Sequence, residues 1–415
     1  MTKTVSFITE NFDKYDPSSL DSYLSIGGFA ATKKVIDKPN EFVIGELEKS
    51  GIQGRGGAAY GTALKWQQAA EVEGEQKIVI CNADEGEPCT FKDREILKKD
   101  PFRLIEGMTI CAHTVGAQRG YIYIREEYRF LQPAIKDAIE QCKKANLLGN
   151  NILGSDFSFD IFVYSGAGAY VCGEGSTLIE SIEGKSGRPR IKPPYIKQCG
   201  LWQLPTCVNN VETLTAACAI IQNGAESFAK YGTPDSPGTK LICLGGNIKN
   251  HGVYEIPFGL TLREIVEDIG GGIKGGYALQ FIQLGGASGR IISSSGLDTV
   301  YSYDGLRKAK LVVGSGGFLV VDERTDILEF LRHVQDFFVH ESCGKCTPCR
   351  EGNRQIQNIL HSMLDNTADI EQIETAKRFA NIMASCSFCG LGETAQSAFL
   401  SALDHFPNAF LGKGV

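Results

Sequence analysis

The spacing of apolar residues changes twice along the 415 residues of the chain and marks three zones. In the first, helical spacing runs over residues 18–50: Pro39-Asn40-Glu41 opens a segment carrying Phe42, Val43, Ile44 and Leu47, and Gly51 closes it. A glycine run at 54–61 leads into a helical stretch at 62–70. Residues 77–81 read as a short strand, 101–117 as a helix, 120–125 as a strand and 157–164 as a buried strand. That strand breaks at 165–170, and helical spacing resumes over 174–182. Strands and helices alternating at this length predict a layered α/β fold to about residue 235.

The second zone follows a joint, Tyr-Gly-Thr-Pro-Asp-Ser-Pro-Gly at 231–238, which reads as a boundary. Across 239–325 the pattern predicts short strands at 241–244, 281–284, 310–313 and 318–321 around one short helix near 262–269. The third zone is helical. Leu328, Leu331 and Val334, then Ile356, Ile359 and Leu360, then Ile373, Ala376, Phe379 and Met383 predict a bundle of about four helices.

Composition narrows the function classes. A net charge of −7 argues against nucleic-acid binding. The best apolar run, 214–221, is far short of the ~20 residues a membrane helix needs. The N-terminus, MTKTVSFITENFDKYD, has no apolar core of a secretory signal. Fourteen cysteines without a signal point to a reducing cytoplasm and to metal or cluster chemistry rather than a disulfide framework.

Five of those cysteines are grouped. Cys343, Cys346 and Cys349 stand at strict three-residue spacing, and Cys386 and Cys389 follow. Three thiolates from one short segment with a fourth from elsewhere suit an iron–sulfur cubane, whereas structural zinc usually takes separated pairs. Spacing leaves zinc and a redox-sensing thiol group open, and leaves the fourth ligand open between Cys386 and Cys389.

Three glycine or acid loops stand where α/β folds receive ligands. Gly54, Gly56 and Ala59 match the outline of a dinucleotide fingerprint, but a helix precedes them where the fingerprint needs a strand. Such a loop still receives phosphate on free N–H groups at the start of a helix, with Lys65 nearby; a tight connection between two helices is the plainer reading. Asn82, Asp84, Glu85 and Glu87 follow a strand end and can bond sugar hydroxyls or ring amides, or simply form a solvated cap. The turn at 166–174 is the third.

Read in order, GRGGAAYGTALKW (54–66), CNADEGEP (81–88), GAGAYVCGEG (166–175), PTCVNNVETL (205–214) and ESCGKCTPCREG (341–352) resemble the NADH-binding flavoprotein subunit of respiratory complex I. The same module occurs in NAD-reducing hydrogenases, NAD-linked formate dehydrogenases and electron-bifurcating enzymes. The resemblance covers nearly the whole chain. It implies a Rossmann-like α/β FMN-binding domain with a non-standard glycine loop over 1–235, a ubiquitin-like β-grasp module over 239–325, and a helical bundle holding [4Fe–4S] over 326–415.

By the same resemblance, Gly54, Arg55, Gly56, Gly57 and Lys65 cradle the flavin. Asn82, Asp84, Glu85, Asn209, Asn210 and Thr213 bind its polar edges. Glu87, Tyr170, Gly173 and Glu174 lie about the stacked nicotinamide and flavin, with Lys65, Glu87 and Glu174 nearest the chemistry. Tyr60 and Tyr195 stand in for nucleotide-stacking phenylalanines. Cys389 becomes the fourth cluster ligand and Cys386 a bystander.

The implied reaction passes a hydride between NAD(H) or NADP(H) and FMN, and single electrons between FMN and the cluster, within a larger and possibly bifurcating complex. The implied partners are a thioredoxin-like [2Fe–2S] subunit and a larger multi-cluster subunit. The chain departs from the family at Gly175, where a second glutamate is usual, at Gln68, where an aromatic is usual, and at Cys89, where glycine is usual. A cluster-bearing relay with a lapsed nucleotide site is the alternative those departures raise.

Overall fold

The computed structural model describes residues 3–410; the outermost ends of the first and third sequence zones, and Met1 and Thr2 of the N-terminal stretch, lie outside it. A four-stranded parallel sheet forms the centre of the first zone: β1 (Ile78–Ala83), β2 (Arg119–Ile124), β3 (Asp160–Ser165) and β4 (Thr206–Asn210), in the order β3-β2-β1-β4. Its mostly apolar strands fit a parallel sheet covered on both faces. Strand alternation sorts β1 cleanly: Val79, Cys81 and Ala83 join one core, and Ile78 and Ile80 the other.

On the first face lie the helices Pro101–Val115 and Val211–Asn223. They pack closely because Gly107 has no side chain; a Cβ there would stand 2.3 Å from the Leu214 carbonyl oxygen. On the second face lie the helix Gly175–Ile182 and the C-terminal helices, which share one apolar cluster with Ile78 and Ile80. The sheet is therefore continuous, through side chains, with the segment that carries the grouped cysteines.

The joint is a tight hairpin, β5 (Gly232–Thr233) with β6 (Ser236–Pro237). It delivers a five-stranded sheet of β7 (Thr239–Gly246), β8 (Gly252–Pro257), β9 (Leu279–Leu284), β10 (Ile291–Ser293) and β11 (Gly317–Asp322), ordered β10-β9-β11-β7-β8. β11 runs parallel to β7, and the other pairs are antiparallel. The Glu255 carboxylate of β8 accepts the N–H groups of Phe7, Ile8 and Thr9 at 2.9–3.0 Å, tying the start of the chain to this sheet.

Residues 310–313 are not the strand their alternation suggests. Leu311 and Val313 are buried and Val312 is exposed, but Lys310 takes a left-handed φ of 58° and the Leu311 N–H returns to Leu306 at 2.8 Å, closing the helix Tyr303–Lys308. The inward residues fill the core beside the sheet without joining a ladder. A second helix thus accompanies the one at 262–269, which begins as Leu262–Glu264 behind a Thr261 capping box and widens into a π turn, Ile265–Ile269.

The last zone has four longer helices, Ile327–Glu341, Thr347–Leu364, Ile370–Cys386 and Ser397–His405, with the short Gly390–Thr394 between the last two. Asp326 and Asp369 cap the first and third, while Leu331, Ile356, Leu360, Ala376 and Met383 are buried among them. No described helix is long and apolar enough to cross a membrane.

Candidate functional site

The parallel sheet sets the site. β1 and β4 are neighbours, and Asn82 at the carboxyl end of one pairs with Asn210 at the carboxyl end of the other. Ligands of α/β sheets bind at this edge. The glycine loop reaches it between the helices Asn40–Ser50 and Thr62–Ala70, so a helix does precede it. Gly57 takes φ +122°, closed to most side chains, and a Cβ on Gly56 would stand 3.1 Å from Asn210. The loop is held by the Arg55 N–H donating to Thr213 Oγ1 at 2.9 Å.

Several expected flavin residues tie the loops to one another. Asn82 Nδ2 donates to the Gly173 carbonyl at 2.8 Å, and Asn82 Oδ1 accepts the Asp84 N–H at 3.1 Å. Asn209 accepts the Trp66 indole N–H at 3.2 Å. Asn210 caps the helix Val211–Asn223 and donates to Asp93 at 2.6 Å. Glu85 is buried and caps the helix Lys92–Lys99 through the Asp93 and Arg94 N–H groups at 2.9 and 3.1 Å. Arg55 turns its guanidinium away from the edge, donating to the Tyr303 hydroxyl and the Thr239 carbonyl, above the Phe258 ring. Its backbone faces the cradle; its side chain fastens the second sheet beneath.

Asp84 is different. One oxygen of its carboxylate is buried and has no partner among the described residues. Burial pushes this carboxyl up to about 7, against the pull of Arg125. A buried acceptor at a strand end, beside a glycine cradle, fits a ligand that brings donors of its own.

Glu87 accepts the Tyr170 hydroxyl at 2.7 Å and both the N–H and hydroxyl of Ser288, at 3.1 and 3.0 Å. Burial still raises its pKa, against those donors. Glu174 caps the helix Gly175–Ile182 and meets the Lys192 ammonium at 2.9 Å. Burial works against this charge, but the Ser176 hydroxyl and Lys192 outweigh it and hold the carboxyl below its usual value.

Along the first three residues of β4, the outermost strand of the sheet, opens a cavity of about 580 Å³. Tyr60, Lys65 and Gln68 line one wall, Lys192, Tyr195 and Lys197 another, and Cys207 and Val208 of β4 the floor. Lys65 donates to the Val208 carbonyl. Sequence reasoning does not pick out Lys192 and Lys197; their signal is two cations in a proline-bearing strap, which no local pattern distinguishes from a solvated loop.

The cysteines converge on a second, small cavity. Cys343, Cys346, Cys349 and Cys389 line it with Val171, Pro189, Phe388 and Leu391. Cys343 lies in the turn after the helix Ile327–Glu341, Cys346 caps the next helix, Cys349 sits in its first turn, and Cys389 caps Gly390–Thr394. Cys386 is exposed and does not line the cavity. Among the described residues no three His, Cys, Asp or Glu side chains close on a single ion; the four thiols instead surround a space, as a cubane requires.

One short turn joins the two sites. In Tyr170–Gly173, Tyr170 reaches Glu87, Gly173 accepts from Asn82, and Val171 forms a wall of the cysteine cavity.

Residues 47–219 match the Nuo51 FMN-binding domain, and 329–413 match the NADH-ubiquinone oxidoreductase-F iron-sulfur binding region. Over 404 residues the chain is 41% identical to the F polypeptide of the NADH-quinone oxidoreductase of Aquifex aeolicus, covering 97% of this chain and 93% of that one. The chain belongs to the NADH-quinone oxidoreductase-F family. HndC, a subunit of the NADP-reducing hydrogenase of Solidesulfovibrio fructosivorans, is also 41% identical, over 98% of this chain and 83% of that protein.

A chain of the NAD+-reducing [NiFe]-hydrogenase in its H2-reduced state superposes on this oxidoreductase-F relative with a TM-score of 0.86 at 35% identity. The match covers 94% of the present chain but 65% of the hydrogenase chain, just under two thirds of its length. The mixed α/β architecture with a parallel sheet core is thus that of the family.

Proposed function

We propose that this chain is the NAD(P)H dehydrogenase subunit of a multi-subunit oxidoreductase, with FMN at the sheet edge and [4Fe–4S] among the four cysteines. One observation carries the reading: the turn Tyr170–Gly173 contributes to both sites, so a flavin and a cluster seated there are neighbours. When bound, FMN accepts or returns a hydride and the cluster passes electrons singly.

The chain's own part is binding, orientation and exclusion of water. The Gly54–Gly57 loop presents backbone N–H groups ahead of the helix Thr62–Ala70, and Lys65, the fourth residue of that helix, adds a positive charge. Asn82, Asp84 and Asn210 offer acceptors and donors at the carboxyl edge, while Thr213 and Glu85 hold the surrounding backbone and Asn209 holds the Trp66 indole. Tyr170 and Gly173 fix the turn between the two sites. Glu87 and Glu174 set the local negative charge, and Tyr60 and Tyr195 offer half-exposed rings for an adenine. Cys343, Cys346, Cys349 and Cys389 are the cluster ligands.

The three sequence zones are read as an FMN- and nucleotide-binding domain, a ubiquitin-like β-grasp module and a cluster-bearing helical bundle. The mixed five-stranded sheet and the C-terminal helices support that division. By analogy with the relatives' assemblies, a thioredoxin-like [2Fe–2S] subunit and a larger multi-cluster subunit are the expected partners; a bifurcating assembly fits the same chemistry.

The test is the visible spectrum of the FMN- and cluster-loaded protein under anaerobic NADH and NADPH. Bleaching of the flavin bands by either supports a dehydrogenase. Bands that survive both overturn it and favour a cluster relay with a lapsed nucleotide site.

A further inference from the structure

The large cavity has an unusual charge balance. Three lysines line it, Lys65, Lys192 and Lys197, and among the described residues no aspartate or glutamate does. Lys192 is neutralised by Glu174 at 2.9 Å. Among the described residues the other two meet neutral acceptors only: Lys65 the Val208 carbonyl, and Lys197 the Gln68 side-chain oxygen at 2.8 Å. Two uncompensated ammonium groups in a recess of this size favour a polyanionic ligand, because the walls limit the solvent screening that surface charges enjoy.

Their positions differ. Lys65 belongs to the glycine-loop end of its helix. Lys197 is held by Gln68, which accepts from it and also from the Tyr60 hydroxyl at 3.1 Å. Tyr60 and Tyr195 flank this group with half-exposed rings, 45% and 51% accessible. Gln68 stands three residues after Lys65 on the same helical face, so one helix carries both Lys65 and the anchor of Lys197. At the start of the facing helix, Gly175 contributes no carboxylate; a Cβ there would meet Ile196 at 3.2 Å.

We propose that Lys197, positioned by Gln68, binds the 2′-phosphate of an adenine nucleotide, so that the chain prefers NADP(H) to NAD(H). This rests on the dehydrogenase reading above. An adenine stacked on the tyrosine rings brings its ribose beside Lys197, and a phosphate dianion is a better partner for the ammonium than the neutral Gln68 amide. No carboxylate among the described residues lines the recess, and the nearest one named here, Glu174, is already paired with Lys192.

The test uses the FMN- and cluster-loaded protein and isothermal titration with 5′-AMP, 2′,5′-ADP and 3′,5′-ADP. The 2′,5′ isomer is expected to bind about tenfold or more tighter than 5′-AMP, as a charge-assisted hydrogen bond gives, and tighter than the 3′,5′ isomer. Lys197→Gln should collapse the ratio of 2′,5′-ADP to 5′-AMP affinity, Lys197→Arg should keep most of it, and Gln68→Glu should reduce it by neutralising the lysine. Equal binding of the two bisphosphate isomers, or a ratio untouched by Lys197→Gln, overturns the assignment. Flavin bleached by NADH but not NADPH overturns it while leaving the dehydrogenase function standing; flavin bleached by neither overturns that function.

Discussion

Glu212 and Lys240 form an ion pair at 2.6 Å with neither side chain exposed. One stands in the first turn of the helix after β4 and the other in β7, so the pair joins the parallel-sheet unit to the second sheet. Lys92 adds a second buried ammonium to Glu212 at 3.0 Å. Burial pulls the Lys240 ammonium down to about 8 despite Glu212. Removing Lys240 leaves the Glu212 carboxylate paired with Lys92, whereas removing Glu212 leaves Lys240 buried with no carboxylate partner among the described residues and Lys92 with Asp93 alone. Glu212→Gln should therefore cost about 3–5 kcal/mol and Lys240→Met less. Denaturant titration of both variants checks the order; a Lys240→Met variant less stable than Glu212→Gln would reverse the account.

A second prediction separates two cysteines three residues apart. Cys389 lines the cysteine cavity, whereas Cys386 ends its helix exposed to solvent. Cys389→Ser should lower the iron content and weaken the cluster's visible absorption, because serine is a poor fourth ligand. Cys386→Ser should retain both. Equal iron loss in the two variants would mean that Cys386 also holds the cluster.

The difference in legibility between these features is physical. The helix Thr62–Ala70 is readable because a glycine run precedes it and Trp66 and Ala69 repeat at helical spacing. β4 is not, because Thr-Cys-Val-Asn-Asn has no sustained alternation and ends in asparagines that read as loop. Those asparagines end the strand by bonding neighbouring elements, Asn209 the Trp66 indole and Asn210 the Asp93 side chain and the Glu212 N–H. The 310–313 segment fails the other way: its alternation is real, but it reflects packing beside a sheet rather than pairing within one. The Glu212–Lys240 pair and the three-lysine recess join residues far apart in the chain, and no local pattern announces them. The cysteine spacing is readable because three of the four cysteines that line the small cavity share one short segment.

Asp84 supplies a pH dependence. Its carboxyl is raised to about 7 by burial, with Arg125 opposing and Glu127 and Glu341 adding to the rise. The folded state therefore holds this proton more tightly than the unfolded chain. The stability it contributes is fully present below the ordinary carboxylate range and is lost as pH rises through about 7. In flavin-free protein, wild type should lose on the order of 2–3 kcal/mol relative to Asp84→Asn between about pH 5 and pH 8. Denaturant titration at the two values measures the difference; a difference between wild type and Asp84→Asn that does not change with pH would show the carboxyl to be ionised throughout.

Lys65 offers the cleanest separation of binding from stability. Its ammonium reaches the Val208 carbonyl across the wall of an open cavity, and its stem lies half-buried along the helix Thr62–Ala70. Lys65→Met keeps the length and apolar body of the side chain but removes the charge. Water in the cavity can take up the Val208 carbonyl, so no buried acceptor is stranded, and the melting temperature should move by only a few degrees. FMN affinity should fall about tenfold or more, the loss of one charge-assisted contact to a phosphate. Flavin retained per protein after gel filtration, together with FMN titration of the stripped protein, reads this directly. Full flavin retention would remove Lys65 from the flavin site and leave its charge to the nucleotide cavity alone.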